Sequence, residues 1–218
     1  MSGGGEDTAQ RVLQELDAAE ALARGGEPDA AIAAYVELVP RVERAFPHDR
    51  LVLAGALDRF SAALSAAGRF DEMTEAQERA IRVAEGAGRT AEELARMRIS
   101  LGDRLRDNGR LDAAIRAYAR AAETAEPETG TAHPAVVEAG IGMAECAADL
   151  GRHGDALRSY RWVVSAARRA LGDAAEPTRR AEAGMRASAS VRRRRIAAVA
   201  GAVLIAVIVG AVLWEQFA

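Results

Sequence analysis

The chain has 218 residues, of which 50% are hydrophobic and 28% charged, a composition typical of one or two globular domains. Without the basic run at 192–195 and Glu215, residues 1–191 hold 25 arginines and 31 acids, a formal charge of −6 that argues against nucleic-acid binding. Aromatic residues make up only 4%, which favours close packing of alanine-rich helices, and the single Cys146 excludes an intramolecular disulfide.

Residues 1–7 are glycine-rich and acidic, and we expect them to be disordered. Four stretches with one shared spacing follow them. Each has a glycine that would end one helix and start a turn, and these glycines stand 41 or 42 residues apart at Gly26, Gly68, Gly109 and Gly151. Five residues later come Ala31, Met73, Ala114 and Ala156, and nine residues later Tyr35, Gln77, Tyr118 and Tyr160. Such a period indicates a solenoid, whose units stack to bury their apolar faces.

Each stretch predicts a pair of helices around its glycine. The predicted pairs are 8–24 with 29–46, 50–67 with 71–85, 90–108 with 112–125, and 134–150 with 155–171. Thr90 followed by Glu93 forms a capping box, in which each residue satisfies a backbone donor of the first helical turn. The third pair is therefore expected to begin at Thr90.

The stretch with Leu101-Gly102, Gly109, Ala114 and Tyr118 resembles the tetratricopeptide repeat, in which a glycine separates two helices and an aromatic residue follows on the second. The spacing exceeds the roughly 34 residues usual in that family, and the chain is similar to the long-helix variant of kinesin light chains. This resemblance covers about residues 8 to 171. It implies an all-α, right-handed solenoid of about four helix-turn-helix repeats over residues 8–172, which binds a protein or peptide and catalyses no reaction.

The end of the chain predicts a membrane anchor. Residues 173–195 have a weak apolar stripe and form either a capping helix or a linker that ends in the basic run Arg192, Arg193, Arg194 and Arg195. The uncharged residues 196–214 would form a helix of about 28 Å, which predicts a single transmembrane helix before a short tail, 215–218. The arginines would stay in the cytoplasm and Trp214 would lie at the far interface.

This topology predicts a tail-anchored, single-pass protein of the cytoplasmic membrane with its N-terminal domain in the cytoplasm. Small residues recur every four positions along the predicted span, at Ala198, Ala202, Ala206 and Gly210. Such a strip lets membrane helices approach closely, so we expect weak self-association through it.

No reaction chemistry is predicted. His48, His133 and His153 stand at separate helix starts or turns without a second ligand at helical spacing, which favours surface or capping roles over a metal site. The sequence contains neither a phosphate-binding loop nor a nucleophile elbow, so we expect neither an enzyme nor a cofactor. Cys146 lies among small apolar residues and is expected to be buried and unreactive.

The resemblance implies a partner-binding surface, because the first helices of tetratricopeptide repeats line an inner groove that receives a peptide or partner helix. By position, eight acids and four arginines fall on it. They are Asp17, Glu20, Arg24, Asp58, Arg59, Arg96, Asp103, Arg106, Asp107, Glu138, Glu145 and Asp149. The excess of acids predicts a partner of basic or mixed charge, although a solvated face without a ligand stays open. Asp103 and Glu145 occupy equivalent positions on neighbouring repeats and should be replaceable without loss of stability.

Three functional hypotheses follow from this pattern. The first is a non-catalytic protein–protein interaction adaptor, or scaffold, at the cytoplasmic face of the membrane. The second is a signalling regulator whose solenoid changes curvature when it binds a peptide. The third is a structural subunit of an enzyme complex. The first two differ in whether binding changes the shape of the solenoid, and the third requires an active partner.

Overall fold

The computed structural model describes residues 3–130 and 133–217, with side chains except at 3–6, 127–129, 204–205 and 207–217. All regular structure in this part of the chain is helical. The helices are α1 (Gly3–Arg24), α2 (Pro28–Ala45), α3 (Arg50–Ala66), α4 (Phe70–Gly86), α5 (Ala91–Asp107), α6 (Leu111–Thr129), α7 (Pro134–Asp149), α8 (His153–Leu171) and α9 (Glu176–Phe217).

The first eight helices form the four predicted pairs, each joined by a turn at a glycine. Gly26, Gly68, Gly109 and Gly151 have φ between 71° and 83°, a left-handed conformation that ends the first helix of each pair. The predicted capping box also forms, since Thr90 Oγ1 accepts from the Glu93 amide at 3.3 Å and the Glu93 carboxylate accepts from the Thr90 amide at 3.0 Å. The start of α1 at Gly3 lies five residues before the predicted start at residue 8.

The aromatic residue of each second helix sets how the pairs stack. The Tyr118 ring of α6 lies between Gly102 of α5 and Gly142 of α7, so close that a Cβ atom added to either glycine would come within 2.6 Å of it. The residues at the equivalent positions are Tyr35, Gln77 and Tyr160, and all are buried. The second helix of a repeat therefore places this side chain between the first helix of the same repeat and the first helix of the next repeat.

The N-terminal half of α9 takes the place of a fifth first helix. Gly184 lies against Tyr160 of α8 as Gly142 lies against Tyr118, and Thr178, Ala181 and Ser188 are buried. Gly142 and Gly184 stand 42 residues apart, and each lies against the tyrosine of the preceding repeat. The first turns of α9 thus cover the apolar end of the fourth repeat.

The structure contradicts the predicted transmembrane helix at 196–214. These residues continue α9 without a break from Glu176. Within the described residues, no helix is long and apolar enough to cross a membrane. The tail anchor and the predicted single-pass location in the cytoplasmic membrane are therefore wrong.

Two further predictions presupposed that anchor. The basic run Arg192 to Arg195 was assigned to membrane topology, but the Arg195 guanidinium instead donates to the Gly151 carbonyl at 3.1 Å, in the turn of the fourth repeat. The prediction of self-association requires these helices to pack within a membrane. In the structure, Ala198, Ala202 and Ala206 are exposed. The side chains of Gly210, Trp214 and the tail 215–218 lie outside the described residues.

Candidate functional site

The candidate site is the surface formed by the first helices α1, α3, α5 and α7 together with α9, which we call the inner face. All twelve predicted partner-binding residues lie on α1, α3, α5 or α7. They are not a continuous row of free charges, because ion pairs between successive first helices divide all of them except Arg96 into three groups.

The first group joins α3 to α1. The Arg59 guanidinium lies 3.2 Å from the Asp17 carboxylate and 3.1 Å from that of Glu20, and Arg24 also pairs with Glu20. Asp17 and Arg24 are largely exposed, at 76% and 74%. Exposed pairs of this kind contribute about 0.2 to 1 kcal/mol each, so this group can exchange its partners at little cost.

The second group is committed to the solenoid itself. Gln77, which replaces the tyrosine of the other repeats, donates from its amide to Asp58 at 2.8 Å. Arg104 of α5 donates to Gln77 Oε1 at 2.5 Å, contacts Ser61 of α3 and is only 20% exposed. Asp58 therefore helps to hold the second repeat against the third. Arg104 could not be identified from the repeat pattern. The only indication in the sequence was the polar Gln77 at a position where the other repeats have tyrosine, because a buried amide needs a hydrogen-bond partner.

The third group surrounds Glu145 of α7. Arg106 of α5 donates to Glu145 Oε2 at 2.8 Å, and Arg180 of α9 grips both carboxylate oxygens at 2.6 and 2.7 Å. Beside this group, the Tyr118 hydroxyl donates to Asp103 at 2.5 Å. Burial, reinforced by the hydrogen bond to Asp103, raises the pKa of Tyr118, so the phenol stays a neutral donor.

Two adjoining cavities of about 310 and 290 Å³ open around this third group, and both are lined by Arg106 and Arg180. Five carboxylates also line them, a formal charge of −3 against the two guanidiniums. We call these carboxylates the acidic inner cluster: Asp103, Asp107, Glu138, Glu145 and Asp149. Glu138 and Asp149 are exposed, and no cation within the described residues pairs with either. Arg180 was missed because the sequence leaves residues 173–195 open between a capping helix and a linker and assigns them no inward-facing side chains.

The remaining candidates lie away from this cluster. Arg96 pairs with Glu92 of its own helix and is 69% exposed. Cys146 is buried as predicted, and burial raises the pKa of its thiol to about 11, so it stays protonated at neutral pH. His133 caps α7, its Nδ1 accepting from the Ala135 amide at 3.3 Å. Among the described residues, no group of three His, Cys, Asp or Glu side chains is placed to hold a metal ion.

Comparison with known proteins agrees with this geometry. Residues 93–169, from the first turn of α5 almost to the end of α8, match the family model of the tetratricopeptide repeat. These residues have the fold of tetratricopeptide repeats. This confirms the resemblance inferred from Leu101-Gly102, Gly109, Ala114 and Tyr118. None of the curated proteins compared with the chain matches it.

Solved structures extend the likeness to most of the chain. Similar structures include the nearly identical TPR-like repeats of a kinesin light chain from Podosopora anserina, with a TM-score of 0.63, 14% identity and coverage of 87% of this chain and 90% of that one. BtubC (BKLC) from P. vanneervenii has a TM-score of 0.52 and 16% identity, covering 88% and 92%. At such identities the likeness shows the fold alone, and it confirms the solenoid of the kinesin light chain kind.

Proposed function

We propose that this protein is a non-catalytic scaffold that binds a basic or mixed-charge segment of a protein partner at the acidic inner cluster. Tetratricopeptide repeats bind protein partners, and folds of this kind are typically non-catalytic. The observation that carries the proposal is the charge around the two adjoining cavities, where five carboxylates face two guanidiniums. An arginine of the partner is the best-matched group, because its planar fork can engage two carboxylates at once.

Charge and apolar contact have different roles in this proposal. Exposed ion pairs contribute only about 0.2 to 1 kcal/mol each, so the cluster mainly sets the approach and orientation of the segment. Apolar surface beside the charges, including Ala148 in the second cavity, supplies the rest of the affinity. Binding should therefore weaken with added salt, but only modestly.

The choice of test residues follows from their partners. Glu145 is 24% exposed and holds Arg106 and Arg180, so its replacement would leave two guanidiniums without their acceptor. Asp103 accepts from the buried Tyr118. The expectation that these two acids can be replaced without loss of stability is therefore not a sound basis for a test. Glu138 and Asp149 are the better pair, since both are exposed.

We expect the double variant Glu138→Arg and Asp149→Arg to bind a synthetic peptide of alternating arginine and leucine roughly tenfold more weakly than the unmodified protein. Fluorescence anisotropy of the labelled peptide measures this. The control is Glu123→Arg with Glu126→Arg, an equal charge change at exposed positions on the opposite side of the solenoid. Equal weakening in both variants, or in neither, would contradict binding at the acidic inner cluster.

A further inference from the structure

A separate recess lies on the other side of the solenoid, between the second helices α4 and α6 and above α5. We call it the outer groove. Its volume is about 410 Å³, and Ile81 of α4, Leu101 of α5 and Ala117 of α6 give it apolar walls. This volume is within the range of about 300 to 1,000 Å³ that small-molecule sites occupy.

The outer groove is basic, although the whole chain carries a formal charge of −3. Its lining holds two acids, Glu78 and Glu85, and four arginines, a formal charge of +2. The arginines are Arg82, Arg98, Arg116 and Arg120. The pairs of Arg82 and Arg120 with Glu78 are long, at 3.8 and 3.7 Å, so one carboxylate is shared between two guanidiniums.

The outer groove also contains a buried hydrogen-bond donor. Arg98 Nη1 is buried, and no hydrogen-bond partner lies within reach in the part of the chain that the structure describes. Burial lowers the pKa of Arg98, with Glu85 opposing that shift and Arg120 adding to it. Buried polar groups in folded proteins nearly always have a partner, so an orphan guanidinium nitrogen beside a cavity indicates an acceptor from outside the chain.

The neighbouring repeat provides an internal comparison. The equivalent recess between α6 and α8 has about 380 Å³, and its lining residues are those of the outer groove moved along by one repeat. There, Gly140 stands in place of Arg98 and Trp162 in place of Arg120. The Trp162 ring lies over Gly140, and the lining carries Glu123, Glu126 and Arg158, a formal charge of −1. The four arginines are therefore specific to the outer groove, since the equivalent recess of the next repeat has only one arginine.

We propose that the outer groove binds a small organic anion that has an apolar body and a carboxylate or phosphate head. The head accepts from Arg98 at the floor and from Arg116 and Arg120 at the rim, because a guanidinium group can donate two parallel hydrogen bonds to two oxygens of either anion. The body contacts the apolar walls. This site lies on the face opposite the acidic inner cluster, so the inference does not depend on the proposed function.

The test uses the full chain and four probes, which distinguish the contribution of the anionic head to binding from that of the apolar body. The probes are 1-naphthyl phosphate, 1-naphthoate, 1-naphthol and inorganic phosphate, each titrated by isothermal calorimetry. At least one of the two naphthyl anions should bind at least tenfold more tightly than both naphthol and inorganic phosphate. The anion that binds more tightly shows whether the site prefers a carboxylate or a phosphate head. Equal binding of naphthol, or no binding of either anion, would overturn the proposal.

Variants on one helix locate the site. Arg98→Met keeps an unbranched apolar stem but removes the guanidinium, and it should weaken binding of the preferred anion at least tenfold. It should melt at or above the temperature of the unmodified protein, because it removes a partly buried guanidinium whose Nη1 has no acceptor among the described residues. Arg96→Met is the matched control, since Arg96 is exposed on the same helix and pairs with Glu92. Undiminished binding by Arg98→Met, or an equal loss in Arg96→Met, would overturn the assignment.

Discussion

Replacement of Gly142 by alanine should lower the free energy of unfolding by about 2 kcal/mol, although alanine is the better helix former. The added Cβ atom would lie 2.6 Å from the Tyr118 ring. The ring cannot retreat, because its other face lies equally close to Gly102 of α5. Urea denaturation measures the change.

The matched control for this substitution is Gly55→Ala in the middle of α3, where nothing lies within 4 Å of the added atom. This variant should gain about 0.5 to 1 kcal/mol, because alanine loses less conformational entropy than glycine when a helix forms. If both variants are stabilised, Tyr118 is not wedged between successive first helices, and the packing described for the repeats is wrong.

Replacement of Gly184 by leucine should release the N-terminal half of α9 from the fourth repeat. Gly184 lies directly against the Tyr160 ring, so the larger side chain would separate the two helices at a cost of about 1 to 3 kcal/mol. The amides of residues 178–190 should then exchange with deuterium much faster than in the unmodified protein, because α9 opens locally.

Gly201→Leu is the control for that measurement, since Gly201 belongs to the same helix and has nothing within 4 Å of an added Cβ atom. Its exchange in residues 178–190 should match that of the unmodified protein. Protection that survives in Gly184→Leu would show that α9 does not serve as the first helix of a fifth repeat.

The helical pairs could be predicted because their signals are local. Gly68 and Gly109 adopt the left-handed conformation that ends a helix, and Thr90 with Glu93 caps the next one, whatever the distant contacts are. The role of α9 was harder to predict, because no turn glycine and second helix follow Gly184 to complete the pattern. The spacing from Gly142 to Gly184, 42 residues, was the signal that could have revealed it.

The candidate site could be predicted only in part, because a repeat register places residues on helices but does not choose their partners. Arg104 and Arg180 were not among the predicted residues, yet they neutralise Asp58 and Glu145 across neighbouring helices. Long arginine side chains reach several acids at similar cost, so the pairing depends on the distance between helices, which the sequence does not state. Glu138, which pairs with no cation among the described residues, can be told apart from the other acids only when those pairs are known.

The most direct test of the proposed function is a map of where a basic peptide touches the solenoid. A photo-crosslinking amino acid is placed at Asp107 on the inner face or, in a second variant, at Glu123 on the opposite side; both positions are exposed, and each replacement removes one carboxylate. Irradiation with the labelled arginine–leucine peptide should give a crosslink from position 107 and none from position 123. A crosslink from position 123 alone, or equally from both, would contradict binding at the acidic inner cluster.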